Sequence, residues 1–458
     1  MKTEDLSGVE LLLRGSLALS KVEEVGIQLD MDFVRTQYKR TGKKIQWLEE
    51  RFSETPVGKA WKERFGTKTK FGSDEQLSEV LFKVLRHIPA KVTEHNRPSV
   101  DKESLMRIGI KEINEIFLPM RALKKVRNTY LAQFLRESDA SGRIHPTFSL
   151  HVVRTYRSSS EGPNFQNNPV RDPELKKIVR KCFLPSKGNR LLEVDYSGIE
   201  VKISACYHKD PSMLEYLHDK SKDMHRDSAM DCYLLPAEEV TKMIRYCGKN
   251  KFVFPQFYGD YYKNCARNLW DAIDQYELHT ASGIPLRKHL ASKKILSYQD
   301  FEEWIRKVEE RFWWEKFREY SEWKDRWWNT YVARGFFDTL TGFRCRGVMK
   351  RNEVINYPVQ GAAFHCLLWS LIMIDRWIEE RRLKSRIVGQ IHDSILFDVV
   401  PEEFDELLEN VNKIMTKQLK KVWKWIIVPL EIEAEACEVD QPWYYKKEVP
   451  INEKETQQ

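Results

Sequence analysis

The sequence predicts an α+β fold, in which short strands form a sheet between two large helical blocks. Helical periodicity dominates about 32–138 and 211–334, and short extended runs lie between and after these blocks. Two apolar, strand-like runs end at acidic residues, since LLEV precedes Asp195 and IVGQI precedes His392 and Asp393. With 458 residues, 41% of them hydrophobic, the chain is long enough for two or three domains around a large buried core.

The N-terminal part is predicted to be mostly helical. Residues 7–25 are expected to form a helix, and GIQLD (26–30) is typical of a short strand. The stretch from about 32 to 138 predicts a helical arm, with a capping box at Ser73 and Gln76.

From residue 139 the pattern changes to short extended pieces and a polar loop, which lead to the strand that ends at Asp195. The Trp-rich stretch 301–334 predicts an amphipathic helix pair with buried indoles. The remaining predicted elements are a hairpin at DTLTGFR, a helix over about 360–382, two strands flanking His392 and Asp393, a helix over 401–423 and a strand at PLEIEAEA (429–436). Asp393 is therefore expected in a hairpin turn, on a sheet floor with helical walls.

Charge and composition narrow the function classes. The formal net charge is +8, and basic runs with interleaved aromatics, such as GKAWKERFGTKTK (58–70), fit a surface that binds a polyanion, although a solvated helix face is the alternative. The eight cysteines show no CxxC pairing, which argues against structural zinc and a disulfide framework. Since no apolar run reaches membrane-spanning length, we expect a cytoplasmic protein.

Two carboxylates at strand ends, once brought together, can hold a pair of divalent ions that activate a hydroxyl and stabilise leaving oxygens in phosphoryl transfer. Further motifs accompany DYSGIE (195–200) and IHDSILFDV (391–399). They are RSSSEGPNFQNNPVR (157–171), RYCGKNKFVFPQFYG (245–259) and NYPVQGAAFH (356–365). In this order the five motifs resemble those of the family A DNA polymerases, the group of bacterial DNA polymerase I and many phage replicases. The resemblance extends from VEEVGIQLD (22–30) to the terminal PLEIEAE.

The resemblance implies a right-hand architecture with an antiparallel palm sheet, a helical thumb and helical fingers. The implied divisions are an N-terminal palm segment (1–35), the thumb (36–138), palm (139–210), fingers (211–345) and palm again (346–458). The implied activity is template-directed addition of deoxynucleotides to a primer 3′-hydroxyl. Asp195 and Asp393 match the two metal-binding aspartates, with the carbonyl of Tyr196 as a further ligand, and two Mg²⁺ ions, replaceable by Mn²⁺, are the expected cofactors.

The resemblance also implies how the nucleotide is held. Glu200 matches the glutamate that leaves no room for a 2′-hydroxyl, and Tyr258 matches the tyrosine that hydrogen-bonds it. Arg245 and Lys249 share one helix face and match the residues that grip the triphosphate, where the lysine is also the candidate acid for pyrophosphate. His225 matches a histidine that contacts the same phosphates.

One motif departs from the family pattern, because Tyr258 stands nine residues after Lys249 instead of eight. We align Phe254 with the aromatic that stacks on the nucleotide. The alternatives are Val253 for Phe254 and Lys251 for Lys249. Pro255 stands where a helix interior is expected, so a kink or break is predicted there.

The DNA contacts implied by the resemblance are Arg157, Gln166, Asn167 and Gln360, which match residues along the minor groove and template path, and His392, which matches a histidine beside the primer terminus. Polar donors in the minor groove can check base-pair geometry without reading sequence. Ser394 replaces an acid found in many relatives, and we expect activity to persist.

Several expectations concern what accompanies this core. No proofreading exonuclease is expected in this chain, since the D-x-E string at Asp101 and Glu103 has no partner acids. An exonuclease, helicase or processivity factor on a separate chain is a candidate partner beside primer-template DNA and dNTPs. A phage or viral origin would place the protein in the host cytoplasm. The alternatives are a single-subunit RNA polymerase, against which Glu200 argues, and a catalytically silent DNA-binding relative. The unmatched stretch around 271–300 is either a partner site or extra helix.

Overall fold

A five-stranded antiparallel sheet lies at the centre of the molecule. The computed structural model describes residues 4–93, 96–167 and 173–451. The strands are β1 (Ile27–Leu29), β2 (Arg143–Ile144), β3 (Thr147–Ser149), β4 (Ser159–Glu161), β5 (Phe183–Leu184), β6 (Arg190–Tyr196), β7 (Phe336–Asp338), β8 (Arg344–Arg346), β9 (Arg386–Ile391), β10 (Ser394–Val399), β11 (Ile432–Ala436) and β12 (Lys447–Glu448). The central sheet has the order β12-β11-β6-β10-β9, and β2-β1-β5, β3-β4 and β7-β8 form smaller sheets.

Helices surround the central sheet. The α-helices are α1 (Gly8–Val25), α2 (Met31–Ser53), α3 (Pro56–Phe65), α4 (Asp74–Ser78), α5 (Lys102–Ile108), α6 (Leu118–Lys125), α7 (Ala132–Glu137), α8 (Pro173–Arg180), α9 (Ile199–His208), α10 (Pro211–His218), α11 (Met224–Tyr233), α12 (Lys242–Cys247), α13 (Phe254–Phe257), α14 (Tyr262–Gln275), α15 (Leu286–Ser292), α16 (Tyr298–Arg311), α17 (Arg318–Arg334), α18 (Arg351–Arg381), α19 (Phe404–Asn412) and α20 (Leu419–Val422). Short π-helical turns occupy Glu79–Val84, Ile113–Phe117, Val126–Leu131, Gly248–Val253, Phe312–Lys316 and Lys413–Gln418. Short 3₁₀ turns occupy Gly66–Lys68, Phe165–Asn167, Ala237–Glu239, Pro401–Glu403 and Trp443–Tyr445.

Most buried hydrophobic residues of the described chain belong to two cores, and a third, small cluster includes Tyr331, Phe337 and Val354. The helical arm has its own core, built from residues between Ile45 and Leu123 around the buried rings of Phe52 and Trp61. A much larger core joins α1, the central sheet, α18 and the helices between α9 and α17. The sheet is therefore fixed rigidly to the second helical block, whereas the arm packs mainly within itself.

The long helix α18 begins earlier than the sequence predicts. The sequence predicted a helix over about 360–382, and a proline in a helix interior leaves one backbone carbonyl without its usual donor. The helix instead runs from Arg351 with Pro358 inside it. Pro358 cannot donate to the carbonyl of Val354, but the indole N–H of Trp327 donates to that carbonyl at 3.1 Å and satisfies it.

Helix α18 is also long and apolar enough to cross a membrane, yet 89% of its most apolar window is buried inside the protein. It is the central helix of the larger core.

Other local predictions are partly corrected. Ser73 caps α4 by accepting the N–H of Gln76 at 3.2 Å, but the Gln76 side chain does not complete a capping box. Its Oε1 accepts instead from the Trp61 indole at 2.9 Å. The strand expected over 429–436 is shorter, and the helix expected over 401–423 is a succession of 3₁₀, α and π turns. The helix pair over 301–334 is confirmed, with Trp313 and Trp323 buried.

Candidate active site

Asp195 and Asp393 lie at the ends of neighbouring strands. Asp195 is the penultimate residue of β6, paired with Ser394 of β10 on one side and Glu433 of β11 on the other. Asp393 lies in the two-residue turn between β9 and β10. The backbone N–H of Tyr196 donates to the carbonyl of Asp393 at 3.4 Å, which ties the two ends together. The hairpin turn predicted for Asp393 is thus confirmed, and folding brings together two carboxylates almost two hundred residues apart in sequence.

The electrostatics of this pair favour a cation. Burial, and next the negative charge of Asp393, raise the pKa of Asp195. Burial is also the largest cause that raises the pKa of Asp393. Oδ1 of Asp195 is buried and has no hydrogen-bond partner among the described residues. Two crowded carboxylates with an unsatisfied oxygen fit hard divalent cations, which prefer oxygen ligands.

Within the described ranges no group of three or more His, Cys, Asp or Glu residues is arranged to hold a metal. Metal ions bound by the two aspartates would therefore need further oxygen ligands to complete their coordination. The side chain of Tyr196 is directed into the core, where its hydroxyl donates to the Met415 carbonyl at 2.8 Å. Because strand side chains alternate between faces, the carbonyl of Tyr196 is the part of this residue able to join a metal site.

Glu200 lies in the first turn of α9, after a tight turn in which Gly198 has a φ of 59°. Tyr258 donates its hydroxyl hydrogen to Glu200 at 2.5 Å, and Arg157 forms an ion pair with the same carboxylate at 3.3 Å. Burial and the charge of Glu200 raise the pKa of Tyr258, which keeps its hydroxyl protonated as a donor. Three residues from distant motifs thus form one network beside Asp393.

Basic and aromatic side chains meet on the second helical block. The ammonium of Lys249 lies 5.2 Å from the centre of the Phe254 ring, and His225 packs edge-on against that ring at 5.6 Å. Burial, followed by the charges of Lys249 and Arg245, lowers the pKa of His225 to about 4. The described structure brings these four predicted residues together.

A π-helical turn accounts for the unusual spacing between Lys249 and Tyr258. The chain remains helical from Lys242 to Phe257, and the N–H of Phe254 donates to the carbonyl of Lys249, five residues back. A π turn accommodates one extra residue in a helix, and the helix continues through Pro255 without the break considered in the prediction.

This arrangement bears on the alternatives left open by the sequence. Val253 is fully buried, whereas Phe254 is only partly buried and contacts Lys249 and His225. Phe254 is therefore better placed than Val253 to stack on a ligand. Lys249 likewise contacts this group, which favours it over Lys251.

One of the proposed DNA-contacting residues, Gln166, is connected through Gln390 to the turn that carries His392 and Asp393. Nε2 of Gln166 donates to Ser158 at 2.7 Å and to Gln390 at 2.8 Å. His392 is exposed, with a φ of 52°. Gln360 is half-buried on α18. The side chain of Asn167 lies outside the described part of the chain.

Two polar residues were not singled out by the sequence analysis. Gln390 is 1% exposed, accepts from Ser158 and Gln166, and donates to the carbonyl of His392 at 2.7 Å. It links the polar loop to the Asp393 turn, and its one signal in the sequence is a polar residue within an apolar strand. Asp223, which accepts a hydrogen bond from Arg245 at 2.6 Å, gave no such signal.

The predicted D-x-E string has a structural explanation. Asp101 caps α5 by accepting the N–H of Ser104 at 2.7 Å, and Glu103 pairs with Arg107 at 2.8 Å.

Comparison with known proteins assigns the family. The family model for DNA polymerase family A matches residues 34–443. The chain belongs to DNA polymerase family A. The members of family A generally use divalent metal ions, which agrees with the donor set at Asp195 and Asp393.

Similar proteins include a DNA polymerase of Bacillus phage SP01, 26% identical over 456 residues, with 88% of this chain and 47% of the phage protein covered. DNA polymerase I of Bacillus subtilis is 27% identical over 433 residues, with 93% and 44% covered. The chain thus spans about half the length of these curated relatives.

A solved structure supports the fold. The POL domain of Pol1 from M. smegmatis, in complex with DNA primer-template and dNTP, superposes with a TM-score of 0.75 at 23% sequence identity. The match covers 95% of this family A chain and 70% of the other. The predicted α+β, right-hand polymerase fold is confirmed.

Proposed function

We propose that the chain is a template-directed DNA polymerase that adds deoxynucleotides to a primer 3′-hydroxyl. One observation carries the proposal: Asp195 and Asp393 meet at the strand ends directly beside the Arg157, Glu200 and Tyr258 network. A pair of carboxylates able to hold two divalent ions is what metal-assisted nucleotidyl transfer requires.

Asp195, Asp393 and the carbonyl of Tyr196 would hold two Mg²⁺ ions, with Mn²⁺ as a substitute. Ions bound there supply activation of the primer hydroxyl and stabilisation of the leaving oxygens. Burial, and for Asp195 also the charge of Asp393, raises the pKa of both carboxyl groups, so the negative charges crowded there would be stabilised by a bound cation. His392, exposed in the same turn, is placed to contact the primer terminus.

The triphosphate would lie against α12 and the π turn that follows it. Arg245 and Lys249 supply two cations, and His225 and Phe254 complete the surface. Phosphate oxygens pair well with such a fork and point charge. We assign Lys249 as the acid that protonates pyrophosphate, since its ammonium lies on the surface proposed to hold the triphosphate, 5.2 Å from the centre of the Phe254 ring.

Selection of the sugar would fall to Glu200. Its carboxylate is held on both sides, by Tyr258 at 2.5 Å and by Arg157 at 3.3 Å. A side chain fixed in this way cannot swing aside for a 2′-hydroxyl, which favours dNTPs over ribonucleotides.

The two cores suggest how duplex DNA is held. We assign residues 36–138 as the thumb, 211–345 as the fingers, and 1–35, 139–210 and 346–458 as the palm. A cleft of about 1180 Å³ separates the arm from α8. The basic residues that line it are Arg40, Lys44, Lys102, Arg121, Lys125, Lys177 and Lys181, against two acidic residues, Asp101 and Glu174. Such a surface gains affinity for a duplex backbone by releasing counterions.

We assign Arg157, Gln166, Asn167 and Gln360 to the minor groove and template path. The setting is DNA replication, in phage or virus if the chain is of viral origin, and in the cytoplasm of its cell. An exonuclease, helicase or processivity factor on a separate chain remains a candidate partner.

Primer extension by the purified chain tests the proposal. An annealed, labelled primer-template is incubated with Mg²⁺ and either dNTPs or ribonucleotides. We expect extension with dNTPs that stops when the ion is chelated. Extension by ribonucleotides alone would favour an RNA polymerase, and no extension with intact DNA binding would favour a silent relative.

A further inference from the structure

Asp223 contacts two parts of the proposed triphosphate site at once. Its Oδ2 accepts a hydrogen bond from Nε of Arg245 at 2.6 Å. Its Oδ1 accepts the backbone N–H groups of His225 at 3.1 Å and Arg226 at 3.0 Å, and so caps the ten-residue helix α11. One carboxylate therefore fixes both the direction of Arg245 and the start of the helix that carries His225.

The contact leaves Arg245 oriented for a ligand. A guanidinium bound through Nε keeps its Nη1 and Nη2 edge for a second partner, and that edge forms the fork that fits phosphate oxygens. The Arg245 side chain is 43% exposed, whereas that of Asp223 is 27% exposed. The arginine is thus anchored by the more buried member of the pair.

The neighbouring groups support an anionic ligand. Burial alone would raise the pKa of Asp223, but hydrogen bonds from Arg245 and from the Arg226 amide hold that pKa below its ordinary value. Asp223 is therefore ionised at neutral pH and balances Arg245 without neutralising Lys249. Nδ1 of His225 is buried and, within the described residues, has no hydrogen-bond partner.

We propose that Asp223 is a positioning residue for triphosphate binding, which holds Arg245 and the His225 helix start in place before the nucleotide arrives. The inference rests on the proposed function. Without this contact the long arginine side chain would lose more rotational freedom on binding, and ordering one such side chain weakens affinity about 3- to 10-fold.

The two tasks of Asp223 can be separated by substitution. Asparagine and serine cap helices about as well as aspartate does. Asp223→Asn therefore keeps the cap on α11 but places a neutral amide against Arg245, and Asp223→Ser keeps the cap but is too short to reach the guanidinium. Asp30→Asn is the matched control, because Asp30 caps α2 through the N–H of Phe33 at 2.8 Å.

The experiment measures binding of inorganic tripolyphosphate to the full chain by calorimetry, together with KM and kcat for dNTP in primer extension. We expect Asp223→Asn and Asp223→Ser to weaken tripolyphosphate binding and raise KM by about 3- to 10-fold, with kcat changed less than KM. Asp30→Asn should bind as the wild type does. In an Arg245→Ala background, Asp223→Asn should have no further effect.

Wild-type affinity in both Asp223 variants, or an equal loss with and without Arg245, would overturn the assignment. The binding measurement also keeps the two proposals apart. If the chain shows the Asp223–Arg245 coupling but extends no primer, the proposed function fails while the positioning role stands. If it extends primers without the coupling, the positioning role fails alone.

Discussion

Gly389 of β9 allows the close packing that holds the polar loop against the Asp393 turn. A Cβ added at Gly389 would lie 2.4 Å from Cε1 of Phe165 and 3.2 Å from two further atoms of that ring. Carbon atoms pack at about 3.5 Å, so in Gly389→Ala the ring must move by roughly 1 Å. Phe165 is 1% exposed and lies between Phe183 and Trp443, at 5.5 and 6.0 Å between ring centres, which leaves it little space.

This displacement should affect both stability and DNA binding. Overpacking of this kind costs about 1–3 kcal/mol of unfolding free energy. Phe165 is followed directly by Gln166, whose bonds of 2.7 and 2.8 Å to Ser158 and Gln390 do not tolerate a shift of that size. Loss of one such intramolecular hydrogen bond costs about 1 kcal/mol of stability, and a Gln166 side chain that is no longer held in place should bind the primer-template more weakly.

The assay combines denaturant unfolding with fluorescence anisotropy of a labelled primer-template. Gly72→Ala is the control, since a Cβ there meets nothing within 4 Å. Adding Phe165→Leu to Gly389→Ala should recover much of the lost stability by making room. The reasoning is refuted if Gly389→Ala unfolds and binds DNA as the wild type does, or if Phe165→Leu makes it worse.

Three further outcomes are expected. Tyr196→Phe should lower the unfolding free energy by about 1–3 kcal/mol, because the buried Met415 carbonyl loses the hydroxyl that donates to it. If only the backbone carbonyl of Tyr196 serves the metal site, kcat should stay unchanged. A large fall in kcat would contradict this assignment. Glu200→Ala should raise ribonucleotide incorporation strongly, and Tyr258→Phe should raise it mildly. The measurement is single-nucleotide extension with competing dNTP and rNTP. Unchanged discrimination between the two nucleotides in Glu200→Ala would count against the role of Glu200 in sugar selection. Burial lowers the pKa of His365 from 6.5 to about 3, so the unfolded chain takes up a proton below pH 6.5 that the folded chain refuses. The contribution of His365 should therefore lower the unfolding free energy by about 2 kcal/mol between pH 6.5 and pH 5. Unfolding curves of His365→Gln, which lacks this titrating group, should show a smaller decrease over the same pH range.

Much of the fold was accessible from the sequence because local patterns determined it. Apolar runs ending in Asp195 and before Asp393 predicted the paired strands, and the side-chain alternation of β6 explains why the carboxylate and the Tyr196 ring face opposite ways. The start of α18 was predicted wrongly because the carbonyl freed by Pro358 is satisfied by Trp327, a residue distant in sequence.

In the candidate site, too, contacts between residues distant in sequence could not be predicted. The residues of the site motifs were found through a family resemblance that covers most of the chain. Asp223 and Gln390 were missed, because their roles depend on partners that only folding brings near: Arg245 for Asp223, and Ser158 and Gln166 for Gln390. The spacing between Lys249 and Tyr258 indicated an irregularity before Phe254, but it could not show that this irregularity is a π turn. A break in the helix and a π turn both accommodate one extra residue.

The central claim is that Asp195 and Asp393 hold the same divalent ions. The most direct measurement is anomalous diffraction from crystals of the chain with Mn²⁺, a primer-template whose primer lacks the 3′-hydroxyl, and a matching dNTP. We predict manganese density shared between the two carboxylates and the Tyr196 carbonyl, which disappears in Asp393→Asn. Manganese bound by either aspartate alone, or density unchanged in the variant, would contradict the account.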